Sequence, residues 1–257
     1  MYARNLTLAL ALTAAPGVAL ALTPEETKAR IKFVDDAQRN GGDYKALCFI
    51  EQKEKDKNDV VNQVTVFRRD ADDKLMILFV QPKSEAGKGY LRLDKNLFFY
   101  DPLVGSWERR TERERIGGTD ARREDFDESR LAEEYTSQWV ADETLGKLDT
   151  HRIKLTANAE ADVAYPVLEL WVDKVTGNLL KRQEFALSGK LLRTTYYPKW
   201  EKMYSKSKGG DVYVPREIRV FDEVEKGNRT TVVIQEVDLQ ALDANIFTMA
   251  WLESKSR

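Results

Sequence analysis

The chain has 257 residues, with 41 lysines and arginines against 43 aspartates and glutamates and a formal net charge of −2. This balance argues against a nucleic-acid-binding domain, which would normally be clearly basic. Cys48 and His151 are the only cysteine and histidine, which excludes an intrachain disulfide, zinc sites of several histidines and sites built from several cysteines.

The first 21 residues are typical of a cleaved secretory signal peptide. Arg4 supplies the positive charge, residues 6–15 form a short apolar run, and Ala19-Leu20-Ala21 is a small-residue cleavage site. The run is shorter than the roughly 20 residues that cross a bilayer and is interrupted by a Pro-Gly pair, which disfavours a retained membrane anchor. We therefore expect one soluble mature domain over residues 22–257, outside the cytoplasm.

A helix and then a series of strands follow the signal. Thr23, Pro24 and Glu26 form a capping box with proline at the first helical position, and Gly41-Gly42 supplies the stop signal. The hydrophobic period then changes to that of strands. Strands are predicted over residues 44–50, 60–69, 74–81, 89–93, 97–100, 106–110, 144–155, 165–173, 179–187, 190–198, 212–222 and 229–239.

Residues 111–135 are the most charged and least strand-like stretch, and residues 127–139 are compatible with a second helix. Successive antiparallel strands with few helices predict a mainly β (α+β) chain built on a single large sheet that curls. A helix over the open side would protect its exposed edge and face.

The residue content offers little support for an enzyme. His151 lies in a strand-like run without a nucleophile elbow nearby, and glycine-rich phosphate loops are absent from the sequence. Cys48 lies in an apolar strand, which indicates a core residue. A secreted hydrolase using His151 remains a disfavoured alternative, and no cofactor is indicated.

Several short sequence motifs, which follow one another in the same order, resemble those of the outer-membrane lipoprotein-sorting family, the LolA/LolB-like periplasmic lipoprotein carriers. Lys88-Gly89-Tyr90-Leu91-Arg92 and residues 96–102 resemble its first hairpin, and Trp107-Glu108-Arg109-Arg110 its arginine-rich strand. Residues 165–173 and Tyr213-Val214-Pro215 resemble later strands. One departure is that Ala121-Arg122-Arg123 interrupts a segment that the family often has in compact form.

The resemblance implies an incomplete β-barrel covered by helices, with an apolar interior that shelters acyl chains. It implies a non-enzymatic, monomeric carrier that binds lipid or acylated lipoprotein. Such a carrier makes transient membrane contact and hands its cargo towards the outer membrane. A different class remains open, an accessory module of an RND-type or ABC-type inner-membrane transporter that carries no lipid.

Alternating apolar residues on the predicted strands are candidates for the lining of that interior, with large aromatic side chains that could plug it. Strand alternation does not distinguish a hollow interior from a packed core, so both interpretations stay open. The candidates are Met76, Leu78, Val80, Leu91, Leu93, Phe98, Tyr100, Trp107, Trp139, Leu168, Leu170 and Val172.

Arginines cluster in and before the charged stretch, with acidic residues between them. One interpretation is a solvated loop whose charges pair with each other. The other is a contact surface for a transporter or for a lipid phosphate, which arginine binds well through its paired N–H groups. The residues are Arg109, Arg110, Arg113, Arg115, Arg122 and Arg123.

Overall fold

The computed structural model describes residues 21–93, 96–111 and 114–255. The predicted signal peptide up to residue 20, residues 94 and 95 between two predicted strands, and Arg113 lie outside the described residues. Within the described part, no helix is both long and apolar enough to cross a membrane.

Among the residues that the structure describes, thirteen antiparallel strands form one sheet, in the order β6-β5-β4-β3-β2-β1-β13-β12-β11-β10-β9-β8-β7. Strands that are neighbours in the sheet are also consecutive in the chain, with one exception. The exception is the pairing of β1 with β13, which joins the two halves of the chain. The strands are β1 (Asp43–Lys53), β2 (Val60–Arg69), β3 (Lys74–Gln81), β4 (Gly89–Leu93), β5 (Asn96–Asp101), β6 (Ser106–Arg110), β7 (Tyr135–Leu145), β8 (Leu148–Ala157), β9 (Val167–Asp173), β10 (Leu179–Phe185), β11 (Leu191–Ser205), β12 (Gly210–Asp222) and β13 (Arg229–Asp238).

The predicted first helix is confirmed as α1 (Pro24–Gln38). Thr23 Oγ1 accepts a hydrogen bond from the Glu26 backbone N–H at 3.2 Å, and the Glu26 carboxylate accepts one from the Thr23 N–H at 2.8 Å. These reciprocal bonds satisfy two donors that a helix start otherwise leaves unpaired. Ile31 and Val34 are buried, so the helix packs its apolar side against the sheet.

The second predicted helix is mostly wrong. Helix α2 covers only Leu131–Glu134, and β7 begins at Tyr135. Tyr135 is buried and its hydroxyl donates to the Tyr165 carbonyl at 3.0 Å, which ties this segment to the sheet. The predicted strand over 144–155 is instead the β7–β8 hairpin, which turns at Gly146 with φ +64°.

The sheet curls around a core that we call the inner cluster. It contains buried residues from strands near both edges, such as Leu75 and Leu97 on one side and Ile153 and Leu170 on the other. The edge strands β6 and β7 do not pair with each other in the described part of the chain, so the barrel is incomplete. The predicted curled, mainly β sheet is confirmed.

A second group of apolar residues, which we call the outer cluster, lies on the opposite face of β2–β5. Met76 is paired with Leu91 and with Phe67 across the sheet, so these three side chains share one face. The C-terminal helix α3 (Met249–Lys255), which the sequence analysis did not predict, covers them through Leu252.

Candidate functional site

Residues 114–134, which we call the plug, occupy the concave face of the sheet. Four of their apolar side chains, those of Ile116, Ala121, Phe126 and Leu131, belong to the inner cluster. The plug therefore lies where a hollow barrel would hold a ligand.

Polar contacts hold the first part of the plug against β1 and β13. Gln52 Nε2 donates to Asp120 Oδ2 at 2.9 Å, and the Asp120 N–H donates to Thr230 Oγ1 at 2.8 Å. Gly117, with φ +58°, lies so close to Phe79 that a Cβ would approach its ring to 2.8 Å. Only glycine combines this backbone conformation with this close approach.

The middle of the plug is held by an ion-pair cluster that we call the clamp. Asp125 contacts Arg182 Nη2 at 3.0 Å and also pairs with Arg193. Glu184 lies 2.6 Å from Arg182 Nε, and Glu124 lies 3.2 Å from Arg193 Nη1. Burial raises the pKa of Glu184 to about 7, against the opposing effect of the two arginines.

A second ion-pair cluster lies on the other side of Phe126. Arg68 Nη1 donates to the Asp127 carbonyl at 3.1 Å, and its Nε lies 2.9 Å from Asp70 Oδ1. The Asp127 carboxylate contacts Arg92 Nη2 at 3.2 Å and also pairs with Arg123. Phe126 is thus the apolar anchor between two sets of buried charges.

The end of the plug is joined to α1 through one carboxylate. Asp35 accepts hydrogen bonds from the backbone N–H groups of Leu131 at 3.1 Å and Ala132 at 2.7 Å, and from Ser129 Oγ at 2.5 Å. Burial raises the pKa of Asp35. These bonds couple α1 to the plug, so displacing one requires displacing or breaking contacts with the other.

Buried ion pairs hold a segment differently from apolar packing. Each charge loses hydration on burial, and this loss offsets much of the attraction between partners. Undocking of the plug would return the charges of Asp125, Arg182 and Arg193 to water. The ion pairs therefore contribute less net free energy to the docked plug than their number suggests, and they add to the apolar packing of its four side chains in the inner cluster.

Little empty space remains beneath the plug. The interior cavity has a volume of about 60 Å³ and is lined by Cys48, Val66, Tyr197, Ile218 and Ile234 among others. Ligand pockets typically have volumes of about 300–1,000 Å³. In this conformation the plug fills the interior, and a ligand of acyl-chain size requires the plug to move.

The structure divides the predicted lining residues between two faces. Leu168, Leu170 and Val172 lie in the inner cluster, facing the plug. Six others lie in or against the outer cluster beneath the C-terminal residues, so the twelve do not line one cavity. These six are Met76, Leu78, Leu91, Leu93, Tyr100 and Trp107.

The remaining three predicted lining residues belong to neither cluster. Phe98 is paired with Leu91 and so lies on the outer face, and Val80 is exposed. Trp139 is partly buried, and its Nε1 donates to Asp142 Oδ1 at 3.2 Å. Asp142 also lies 2.7 Å from His151 Nδ1 and accepts a hydrogen bond from Lys174 Nζ at 2.5 Å. Burial opposes ionisation of Asp142, but the hydrogen bonds from Lys174, His151 and Trp139 outweigh it and lower the Asp142 pKa.

Sequence reasoning missed the residues of β2 and β3 that do face the plug, among them Val66, Ile77 and Phe79. Along the strands these residues alternate with the predicted lining residues, so the two groups lie on opposite faces of the sheet. The run from Leu75 to Phe79 is apolar on both faces, so alternation alone offered no way to choose between them.

The predicted arginine cluster is also divided. Arg115 pairs with Asp120, Arg123 pairs with Asp127, and Arg122 Nε donates to Tyr165 Oη at 2.7 Å. These three belong to the plug and its contacts. Arg109 is exposed on edge strand β6, and Arg110 pairs with Glu108 at 2.7 Å.

Three solved structures share this architecture. A LolA superfamily protein from Nitrosomonas europaea is 18% identical, with a TM-score of 0.74 over 91% of this chain and 100% of that chain. A putative outer membrane lipoprotein-sorting protein domain from Vibrio parahaemolyticus is 18% identical, with a TM-score of 0.77 over 90% and 100%. A DUF1329 family protein from Desulfovibrio piger is 18% identical, with a TM-score of 0.76 over 89% and 97%.

The resemblance stated from the sequence is confirmed at the level of the fold, which this chain shares with the LolA superfamily protein and the putative lipoprotein-sorting domain above. A family model described only as an uncharacterized protein matches residues 71–254, and the chain belongs to this family. No curated protein matches the chain.

Proposed function

We propose that this protein is a non-enzymatic periplasmic carrier that binds a lipid, or the acyl chains of a lipoprotein, on the concave face now covered by the plug. The observation that carries the proposal is an apolar interior occupied by a segment that charged groups hold in place. Displacement of the plug and α1 would expose the inner cluster. Delivery of the cargo towards the outer membrane is part of the proposal.

An apolar interior is what a carrier needs in order to shelter an acyl chain from water. Each methylene group exposed to water costs about 0.8 kcal/mol, so a soluble carrier must exclude water along the whole chain. Leu168, Leu170 and Val172 offer apolar contact on one side. A plug that returns after release would keep the empty carrier from exposing this surface.

The first test is native mass spectrometry with lipid extraction on mature protein purified from its own periplasm. A stoichiometric acyl-bearing ligand is the expected result. A ligand-free protein that also fails to take up a fluorescent fatty acid would contradict the proposal.

A substitution tests where such a ligand binds. Val172→Phe adds volume to the buried inner face, where overpacking costs about 1–3 kcal/mol, and should weaken binding of the fluorescent fatty acid about tenfold. Leu93→Phe makes a similar addition beside the outer cluster and is the matched control, expected to leave binding unchanged. Equal effects of both variants would place the ligand elsewhere.

The filled interior supports a second candidate, an accessory module of an RND-type or ABC-type transporter that carries no lipid. The cavity of about 60 Å³ is what a packed core would also give. Failure to bind any acyl probe, together with retention of the protein by a transporter in pull-down from its own membranes, would favour this role.

A further inference from the structure

The clamp joins groups that would separate if the plug opened. Arg182 lies on β10 and Arg193 on β11, so both belong to the sheet. Asp125 belongs to the plug, and both of its carboxylate oxygens are engaged: Oδ1 lies 3.0 Å from Arg182 Nη2, and Oδ2 pairs with Arg193. One acidic group of the plug is therefore held by two guanidinium groups of the sheet.

The charges of the clamp balance only while the plug is docked. Among the described residues, Glu184 is the one sheet carboxylate that pairs with these arginines, with its Oε1 2.6 Å from Arg182 Nε and 3.4 Å from Arg193 Nη1. The other two carboxylates of the clamp, those of Glu124 and Asp125, belong to the plug. Displacement of the plug would therefore leave two arginines and one carboxylate on the concave face.

Apolar surface lies directly beside these arginines. Leu170 on β9, a member of the inner cluster, is the cross-strand partner of Arg182. Thr195 on β11 is the partner of Arg182 on its other side, and the fully buried Oγ1 of Thr195 has no hydrogen-bond partner within the described part of the chain. The sheet thus places two guanidinium groups and an unpartnered hydroxyl next to an apolar wall.

A ligand that takes the place of the plug would cover the two arginines again. Covering a charge whose partner has been removed is strongly unfavourable. An uncharged acyl ligand would have this effect, whereas a ligand with an acidic group would restore the pairs that Asp125 makes. A carboxylate and a phosphate both offer the oxygens that guanidinium groups bind.

We infer that the cargo is an anionic lipid whose carboxylate or phosphate binds between Arg182 and Arg193, in the place that Asp125 takes in the docked plug. Thr195 donates a hydrogen bond to the same acidic group, and the acyl chain lies along the inner face of β9. This inference rests on the proposed carrier function. It favours a fatty acid or a phospholipid over the uncharged acyl chains of a lipoprotein.

Two pairs of palmitoyl ligands test the acidic group. Palmitate is compared with uncharged palmitamide, and palmitoyl lysophosphatidylglycerol with uncharged monopalmitoylglycerol. Displacement of a fluorescent fatty acid is measured at pH 8, above the pKa of about 7 to which burial raises Glu184. The charged member of a pair should bind about tenfold to a hundredfold more tightly. A preference confined to the first pair would indicate a fatty acid, and one confined to the second pair a phospholipid.

Two variants of the clamp should shift this preference in opposite directions. Arg193→Gln leaves one arginine and one carboxylate on the sheet and should reduce the preference about tenfold, whereas Glu184→Gln leaves both arginines without a sheet carboxylate and should increase it. Loss of packing alone would weaken charged and uncharged ligands alike. Arg152→Gln, at an ion-paired arginine on the opposite face of β8, is the matched control and should leave the preference unchanged.

A third variant keeps the ion pairs of the clamp. Thr195→Val removes only the unpartnered hydroxyl, so it should fold, and it should weaken binding of the charged ligand about threefold. Equal affinities within both pairs, or a preference that none of the clamp and Thr195 variants alters, would overturn the inference while the carrier function stands. Absence of binding to every acyl ligand would overturn both.

Discussion

The two faces of the sheet are covered in different ways. On the outer face, the C-terminal residues pack through apolar and aromatic contacts: Phe67 and Trp251 have ring centroids 5.4 Å apart, and Leu252 is fully buried. On the inner face, the plug is held by buried ion pairs around Asp125 and Asp127. Under the proposed function, we expect the C-terminal cover to stay in place and the plug to open.

Removing a charge from the clamp should give the largest effect. Asp125→Asn leaves Arg182 and Arg193 with an incomplete set of buried partners, which costs about 3–5 kcal/mol. We expect hydrogen exchange of residues 116–131 to accelerate about a hundredfold or more, while that of β1 stays slow. Asp72→Asn, at an exposed acidic position, is the control.

Equal acceleration in the plug and in β1 would show that the plug does not open on its own. The two faces would then be parts of a single cooperative core, and the distinction between a permanent and a removable cover would fail.

Truncation on the outer face should act on the whole fold. Leu252→Ala removes a fully buried side chain and should lower the free energy of unfolding by about 2–4 kcal/mol, measured by urea denaturation. Under native conditions, hydrogen exchange of the plug should accelerate no more than hydrogen exchange of the sheet. Leu187→Ala, at a side chain 85% exposed, provides the control.

If Leu252→Ala instead increased uptake of acyl probes as much as Asp125→Asn does, the C-terminal cover would also be a moving part. The contrast between the faces would then be wrong.

A smaller effect should follow from pH. Burial raises the pKa of Glu134 to about 7 from a usual value of 4.5, so the folded protein binds more protons than the unfolded chain between these values. The free energy of unfolding should therefore fall as pH rises from about 5 to 7 and level off above 7. We expect this carboxyl to contribute about 1–2 kcal/mol.

Glu128 and Glu184, whose pKa values burial also raises to about 7, add to the same trend in the unaltered protein. Glu134→Gln should thus reduce the dependence without abolishing it. Urea denaturation of both proteins from pH 5 to 8 measures the difference, and parallel profiles would contradict the prediction.

Local sequence signals determined much of this protein. The capping box at Thr23 specified the start of α1, and the period of two specified most strands and a curled sheet. The single cysteine and histidine excluded whole classes of site. These properties depend on residues near each other in the chain, or on counts, and so can be derived before the fold is known.

The tertiary structure alone decided which face of each strand lies inside. Alternation places Met76 and Ile77 on opposite faces but carries no information about which face meets the plug and which meets the C-terminal helix. The roles of Arg182, Arg193 and Asp125 could likewise not be derived from the sequence, because partners more than fifty residues apart in the chain meet only when the sheet curls. Long-range pairing, which no local pattern encodes, built the clamp.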